Sequence, residues 1–269
     1  MAARATLGII PAAGLGRRLS PATRGVPKEL LPVGRRTALD FAVAEAVDAG
    51  LHDLVIVVSP EKEVALHRHV TAGTQETAED EMVSALYARL RVHFTVQKQA
   101  AGLGDAVRLG RDAARNLGSH ESMAVLLPDE IHDGGHTLRA LLDTAAAQRG
   151  SVIASFHTRP GEIVHYGALD IERLPQLGRL MRVRDVIEKP TVEEAPSRFA
   201  VAGRYVLGAD VLAALDEIEP STRGEIELTD ALALAALRER PVFALPLASR
   251  HFDLGSWNGY EKAVSFLTR

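Results

Sequence analysis

Two glycines and four basic residues crowd one short stretch of this sequence, and their order points to phosphate chemistry. The apolar run Leu7 to Pro11 leads directly into Ala12-Ala13-Gly14-Leu15-Gly16-Arg17-Arg18. The small residues Ala12, Ala13, Gly14 and Gly16 let the backbone approach a phosphate with its N–H groups toward the anion. A G-x-G turn after a strand also serves plain turns and dinucleotide folds. Here the third glycine of the dinucleotide pattern is missing, and Arg17, Arg18, Arg24 and Lys28 follow within twelve residues of Gly16. Pro27 and Pro32 bracket Lys28-Glu29-Leu30-Leu31 and restrict where Lys28 can point. Arg18 and Lys28 would neutralise a polyphosphate and stabilise the charge that builds as it reacts, which is an electrostatic task rather than a nucleophilic one.

These residues need a frame. Short aliphatic runs at Leu7 to Pro11, Leu54 to Val58, Val92 to Val96 and Met123 to Leu127 alternate with helical periods at Leu39 to Ala49 and Gly104 to Ala114. A helix at His136 to Arg149 and a strand at Ser151 to Phe156 continue the alternation, which implies a parallel sheet covered by helices. Past Tyr166 the elements shorten and mix. Strands are expected at Gly167 to Ile171, Val183 to Glu188 and Phe199 to Leu207, and helices at Ala209 to Ile218 and Leu228 to Arg238. The polar stretch Thr71 to Glu81 reads as a loop or helix end. One α/β domain over 1–269 is expected, with a phosphate-loop half to about residue 160 and a more mixed half over about 161–269. Asp129, after Leu127-Pro128, falls at the carboxyl end of a strand, where open α/β sheets bind ligands. Taken alone it is a turn or cap residue as readily as a metal ligand.

The stretch P-A-A-G-L-G-R-R-L-S-P-A-T-R-G-V-P-K-E-L-L-P, Pro11 to Pro32, resembles the signature of sugar-1-phosphate nucleotidyltransferases, most closely the bacterial UTP:glucose-1-phosphate uridylyltransferases. The similarity runs along nearly the whole chain. It implies a Rossmann-like, mixed but mainly parallel sheet flanked by helices, with a smaller mixed sugar-binding lobe. It also implies a nucleoside triphosphate and a sugar-1-phosphate as substrates, and Mg²⁺ as cofactor. By the same resemblance Arg18, Lys28 and Lys189 are catalytic. Ala12, Ala13, Gly14, Gly16, Glu29, Gln97, Gly102 and Pro128 bind the nucleotide. The Gln97 amide, which both donates and accepts, reads the edge of the base. Gly167, Glu188, Lys189 and Ala202 bind the sugar phosphate, with Glu188 accepting from ring hydroxyls. Asp129 and Asp253 hold the magnesium, to which carboxylate oxygens are suited. For Asp253 a cap on the final helix is the rival role, and Thr229 and Asp230 are expected to cap and orient a helix. Arg17, Arg24, Asp105 and Ser256-Trp257-Asn258 depart from the family pattern, which leaves room for another base or a modified sugar.

Bulk properties exclude other classes. Lys plus Arg number 31 against 35 Asp plus Glu, a formal charge of −4 without long runs of one sign, so nucleic acid is not an expected partner. The absence of cysteine removes disulfides and thiolate sites. No apolar stretch nears the ~20 residues of a membrane span, so a cytoplasmic protein without membrane contact is expected. A glycosyltransferase would carry an Asp-x-Asp pair, and none occurs. A silent regulatory subunit would be expected to have lost Lys28, Asp129 or Lys189, and all are present. Related enzymes commonly self-associate, which leaves a homo-oligomer open.

Overall fold

The computed structural model describes all residues except 1–4, 21, 22, 24, 72–77, 119, 239 and 269, together with all side chains of the remainder except those of 17 and 78–80. The chain lays down β1 (Leu7–Pro11), a small hairpin of β2 (Pro32–Val33) and β3 (Arg36–Thr37), and then α1 (Ala38–Ala49). Next come β4 (Asp53–Val58), α2 (Pro60–Thr71), α3 (Ala78–Tyr87), β5 (Arg91–Val96), α4 (Leu103–Ala114) and β6 (Ser122–Leu126). They are followed by β7 (Glu130–His132), α5 (Thr137–Gln148), β8 (Ser151–His157), β9 (Gly167–Arg173), β10 (Met181–Glu188) and β11 (Phe199–Gly208). The chain closes through α6 (Ala209–Ala214), α7 (Leu228–Ala236), β12 (Val242–Pro246), β13 (His251–Asp253) and α8 (Trp257–Leu267).

Nine strands form one sheet in the order β5-β4-β1-β6-β11-β8-β12-β10-β9. The pairings make seven of them run one way, with β10 and β11 opposed. This is the mixed, mainly parallel sheet that the sequence implied. β11, from the later part of the chain, lies between β6 and β8, so the sheet is continuous through both halves. β9 also meets β11, Ala168 opposite Ala200, so that end curls back and carries Gly167 and its partner Glu188 with it.

Apolar composition explains the layers. β4 is buried along its whole length, as a central parallel strand sandwiched by helices must be. One core, including Leu39, Val43, Leu138 and Leu141, lies under α1 and α5. The other, including Val107, Val211, Leu228 and Leu232, lies under α4, α6 and α7. Burying each such side chain stabilises by about 1.5–3 kcal/mol. α1 begins with a capping box, in which Asp40 N donates to Thr37 Oγ1 at 3.3 Å and Thr37 N to Asp40 Oδ2 at 2.7 Å.

The helix expected to Ile218 ends at Ala214, and the one expected to Arg238 ends at Ala236. Glu227 occupies the N-cap position of α7, so Thr229 and Asp230 sit inside its first turn and neither caps it. In the polar stretch, Thr71 closes α2 and 78–81 open α3, while 72–77 and Arg24 lie outside the described residues. Among the described residues no helix is long and apolar enough to cross a membrane.

Candidate active site

A cavity of about 500 Å³ opens at the carboxyl ends of β1 and β6. Ala13, Gly14 and Gly16 line one side of it, with Arg18 and Lys28 beside them. Gln97, Gly102, Leu127, Asp129 and Lys189 line the rest, joined by Glu225 and Gly255. Residues as distant in sequence as Gly14 and Lys189 thus share one wall because β1, β6 and the curled β9–β10 end converge there.

The glycine loop after β1 is held from behind by a residue that nothing in the sequence marks out. Lys62, in the first turn of α2, donates to Ala12 O at 3.1 Å, to Gly14 O, and to both Glu29 oxygens at 2.9 Å. With these carbonyls drawn toward Lys62, the loop is free to offer its N–H groups to an anion. Glu29 is fully buried and Ala12 packs in the core, so neither side chain faces the cavity. Burial pushes the Glu29 carboxyl up despite the opposing pull of Lys28 and Lys62. In sequence Lys62 stands between Glu61 and Glu63 and looks like part of a solvated helix face.

Lys28 starts a single helical turn after Pro27 and reaches Asp129 Oδ2 at 2.5 Å. Burial alone would lower the Lys28 ammonium, but the Asp129 and Glu29 carboxylates outweigh it and hold its pKa above the ordinary lysine value. Burial would raise Asp129, and the charge and hydrogen bond of Lys28 outweigh that and hold the carboxyl below its ordinary range. Asp253 accepts from Gly255 N at 2.7 Å and from the Tyr166 hydroxyl at 3.2 Å. Leu254 N donates to Asp129 O at 2.7 Å, which ties the two aspartate segments together. Ser256 caps α8 by accepting from Gly259 N at 3.2 Å, so Asp253 is free of the capping role that was its rival reading.

The loop carrying Asp129 hangs on a buried guanidinium. Arg204 has no exposed surface and donates to Leu127 O, Gly203 O and Glu130 O at 2.8, 3.2 and 2.8 Å. Its Nε pairs with Glu45 Oε2 at 2.8 Å, and the other Glu45 oxygen accepts from Leu138 N. Pro128 is buried within this loop, flanked by Leu127 and Asp129 on the cavity wall.

Opposite the phosphate loop, Gln97 Nε2 donates to Gly102 O at 3.1 Å and to Asp105 Oδ2 at 2.8 Å. Gly102 precedes α4 with φ +97, and a Cβ there would lie 2.5 Å from Ile226 O, so only glycine fits. Lys189 takes φ +46, a left-handed conformation costing about 1–3 kcal/mol in a non-glycine residue. The bond from Lys189 N to Tyr166 O at 3.0 Å holds it there, and its ammonium meets Glu188 at 2.8 Å. Gly167 packs against the Thr229 methyl, 2.8 Å from where a Cβ would stand. Ala202 is fully buried in the core, so its side chain does not reach the cavity.

The family model described as nucleotidyl transferase matches residues 7–269. The chain belongs to that family. A UTP–glucose-1-phosphate uridylyltransferase of Pseudomonas aeruginosa is 34% identical, the alignment covering 96% of this chain and 94% of the relative. One from Bacillus subtilis is also 34% identical, over 94% and 87%. A UDP-glucose pyrophosphorylase solved with UDP-glucose superposes with a TM-score of 0.88 at 30% identity, covering 98% of both chains. A UTP-bound enzyme from Acinetobacter baumannii gives 0.82 at 28% identity, covering 98% of this chain and 93% of the other.

Proposed function

We propose that this nucleotidyltransferase joins UTP and glucose-1-phosphate to give UDP-glucose and pyrophosphate. The contact of Gln97 with Asp105 carries the choice of base. A carboxylate only accepts, so Asp105 turns the Gln97 amino group toward itself and toward Gly102 O. The Gln97 carbonyl oxygen is then the group left for a ligand. An acceptor there matches a base with a ring N–H, such as uracil, and mismatches cytosine and adenine, whose corresponding ring nitrogens accept. The relatives named as uridylyltransferases direct the choice among N–H bases to uracil.

The reaction needs no protein nucleophile or base. An oxygen of the glucose-1-phosphate group, already anionic at neutral pH, attacks the α-phosphorus, and the bond to the pyrophosphate oxygen breaks. Lys189 holds the sugar phosphate for attack, and Arg18 and Lys28 stabilise the charge that accumulates on the α-phosphoryl and the leaving pyrophosphate. The Asp129 and Asp253 carboxylates, on segments tied by the Leu254–Asp129 backbone bond, would supply oxygen donors of the kind magnesium takes. When bound there, Mg²⁺ would supply further charge neutralisation at the triphosphate. A nucleoside triphosphate substrate supports a cytoplasmic setting for the reaction.

Pyrophosphate release from the purified protein with Mg²⁺ and glucose-1-phosphate, compared across UTP, dTTP, GTP, CTP and ATP, tests the reading. UTP should give the highest kcat/KM, and equal or faster turnover of CTP or ATP would overturn it. Asp105→Asn removes the carboxylate that helps fix the amide and leaves Gly102 O as its main anchor, and should lower kcat/KM for UTP by up to about tenfold, the equivalent of one hydrogen bond. The same change should narrow the preference of UTP over CTP.

A further inference from the structure

Besides Asp253, the short antiparallel pair of β7 and β13 carries side chains to which the proposed uridylyl transfer gives no role. Its register sets His251 opposite His132 and Asp253 opposite Glu130. Residues two apart on a strand share a face, so these four stand together. Ile131 and Phe252 take the other face and pack with Val33, Ala38 and Leu254. Alternation thus sorts this ribbon into an apolar side and a side rich in metal-ligating groups.

On that second side Glu130, His132 and His251 each bring a nitrogen or oxygen within 4.8 Å of the others. Glu130 and His132 are 8% and 5% exposed, and Phe156 covers His251 with its ring centroid at 4.6 Å. Glu130 Oε2 touches His251 Nε2. Gly203, at φ +54, makes room for this, because a Cβ there would lie 2.7 Å from Glu130 Cδ. A separate observation points to a ligand. His132 Nδ1 is engaged with Thr137 Oγ1 at 3.1 Å, while its Nε2 is buried and, among the described residues, makes no hydrogen bond of good geometry, the Ala202 backbone being the polar group beside the ring. A buried polar atom in that state is costly and calls for an explanation.

We propose that Glu130, His132 and His251 bind one zinc-class divalent cation, His132 through Nε2, beside and separate from the magnesium carboxylates Asp129 and Asp253. Two imidazoles and one carboxylate form a zinc ligand set, whereas magnesium takes oxygen donors. The ion would clamp β13 onto β7 and so fix Asp253, two residues beyond His251.

The site can be read without substrate, so its test is independent of the reaction assigned above. Purified protein, stripped with a chelator and returned to millimolar Mg²⁺, is titrated with Zn²⁺ in competition with a chromophoric chelator. One tight equivalent is expected, and Co²⁺ should give the strong visible absorption of a four-coordinate nitrogen and oxygen site. His132→Asn and His251→Asn should each weaken binding by more than the roughly 10–100-fold that follows from losing a merely orienting partner. Asp129→Asn should leave it within a small factor. Absence of a tight equivalent under excess Mg²⁺, or unchanged binding in folded His132→Asn, would overturn the proposal. So would an equal loss in Asp129→Asn, which would put zinc in the magnesium site. Circular dichroism establishes folding, and if His132→Asn fails to fold, the more peripheral His251→Asn decides in the same way.

Discussion

Two ion pairs stand on either side of the loop that carries Asp129, and they differ in what they can release. Lys28 and Asp129 meet at the cavity wall, their side chains 16% and 18% exposed. Arg204 and Glu45 meet behind it at 0% and 2%. In the reaction proposed above, each member of the first pair would gain a better partner, phosphate for Lys28 and a cation for Asp129. On that reading the pair stores two charges side by side until substrate separates them. In the second pair every strong donor or acceptor is already committed to the protein, to Leu127 O, Glu130 O and Leu138 N. On that reading the same chemistry serves turnover at one site and rigidity at the other, and accessibility decides which.

The largest effect that would break this contrast is on turnover. Asp129→Asn keeps the shape and an acceptor for Lys28 but loses the charge. We expect kcat to fall by about 10²–10³-fold or more, comparable to removing one strong transition-state stabiliser, with a fall in the urea midpoint smaller than that of the Arg204 variant described next. Pyrophosphate release and urea melts on the same sample check both. A folded Asp129→Asn with full activity would leave Lys28–Asp129 as a structural pair no different from the buried one.

Arg204→Met should show the opposite pattern. It strands Glu45 and three carbonyl oxygens in the core, and breaking a buried pair costs about 3–5 kcal/mol of stability. Adding Glu45→Leu should restore only part of this, because the loop carbonyls at Leu127, Gly203 and Glu130 stay without their donor. Denaturant melts of both single variants and the double variant measure the coupling. Full recovery in the double variant would mean that Arg204 matters only to Glu45 and does not hold the Asp129 loop.

The contrast also explains what the sequence revealed. The phosphate loop and Lys28 were legible because their chemistry is contiguous, with glycines, basic residues and prolines in one short run after a strand. The parallel strands were legible because their buried runs are continuously apolar. Arg204 and Glu45 were not, since their partnership spans 159 residues and each alone reads as an ordinary charge. Lys62 was hidden between Glu61 and Glu63, and only the packing of α2 beneath the loop turns it inward. β7 and β13 have three residues each, too few for a periodic signal, and Glu130, His132 and His251 come together only through their pairing. Glu29 and Ala202 show the converse. The family motif marks them, yet it carries no record of which side chains face inward.

The smallest expected effect concerns pH. Asp129 is held below the ordinary aspartate value of 3.8, so the stability it lends is complete above about that pH and is lost as pH falls through its lower folded value. Lys28 is held above the ordinary lysine value of 10.5, so its contribution is complete below that and is lost as pH rises through the folded value. Together they predict a plateau of stability between these limits. In Lys28→Met, Asp129 loses its principal partner and burial becomes the dominant influence, which pushes its carboxyl up. The acid limb of stability should then shift: with its folded pKa raised, protonation of Asp129 favours the folded state, so the variant loses less stability on acidification than the parent protein. Urea midpoints across an acid pH series measure that displacement. An acid limb that does not move would show that Asp129 draws its ionised state from elsewhere, and that the pair at the cavity wall holds no charge in reserve for the substrate.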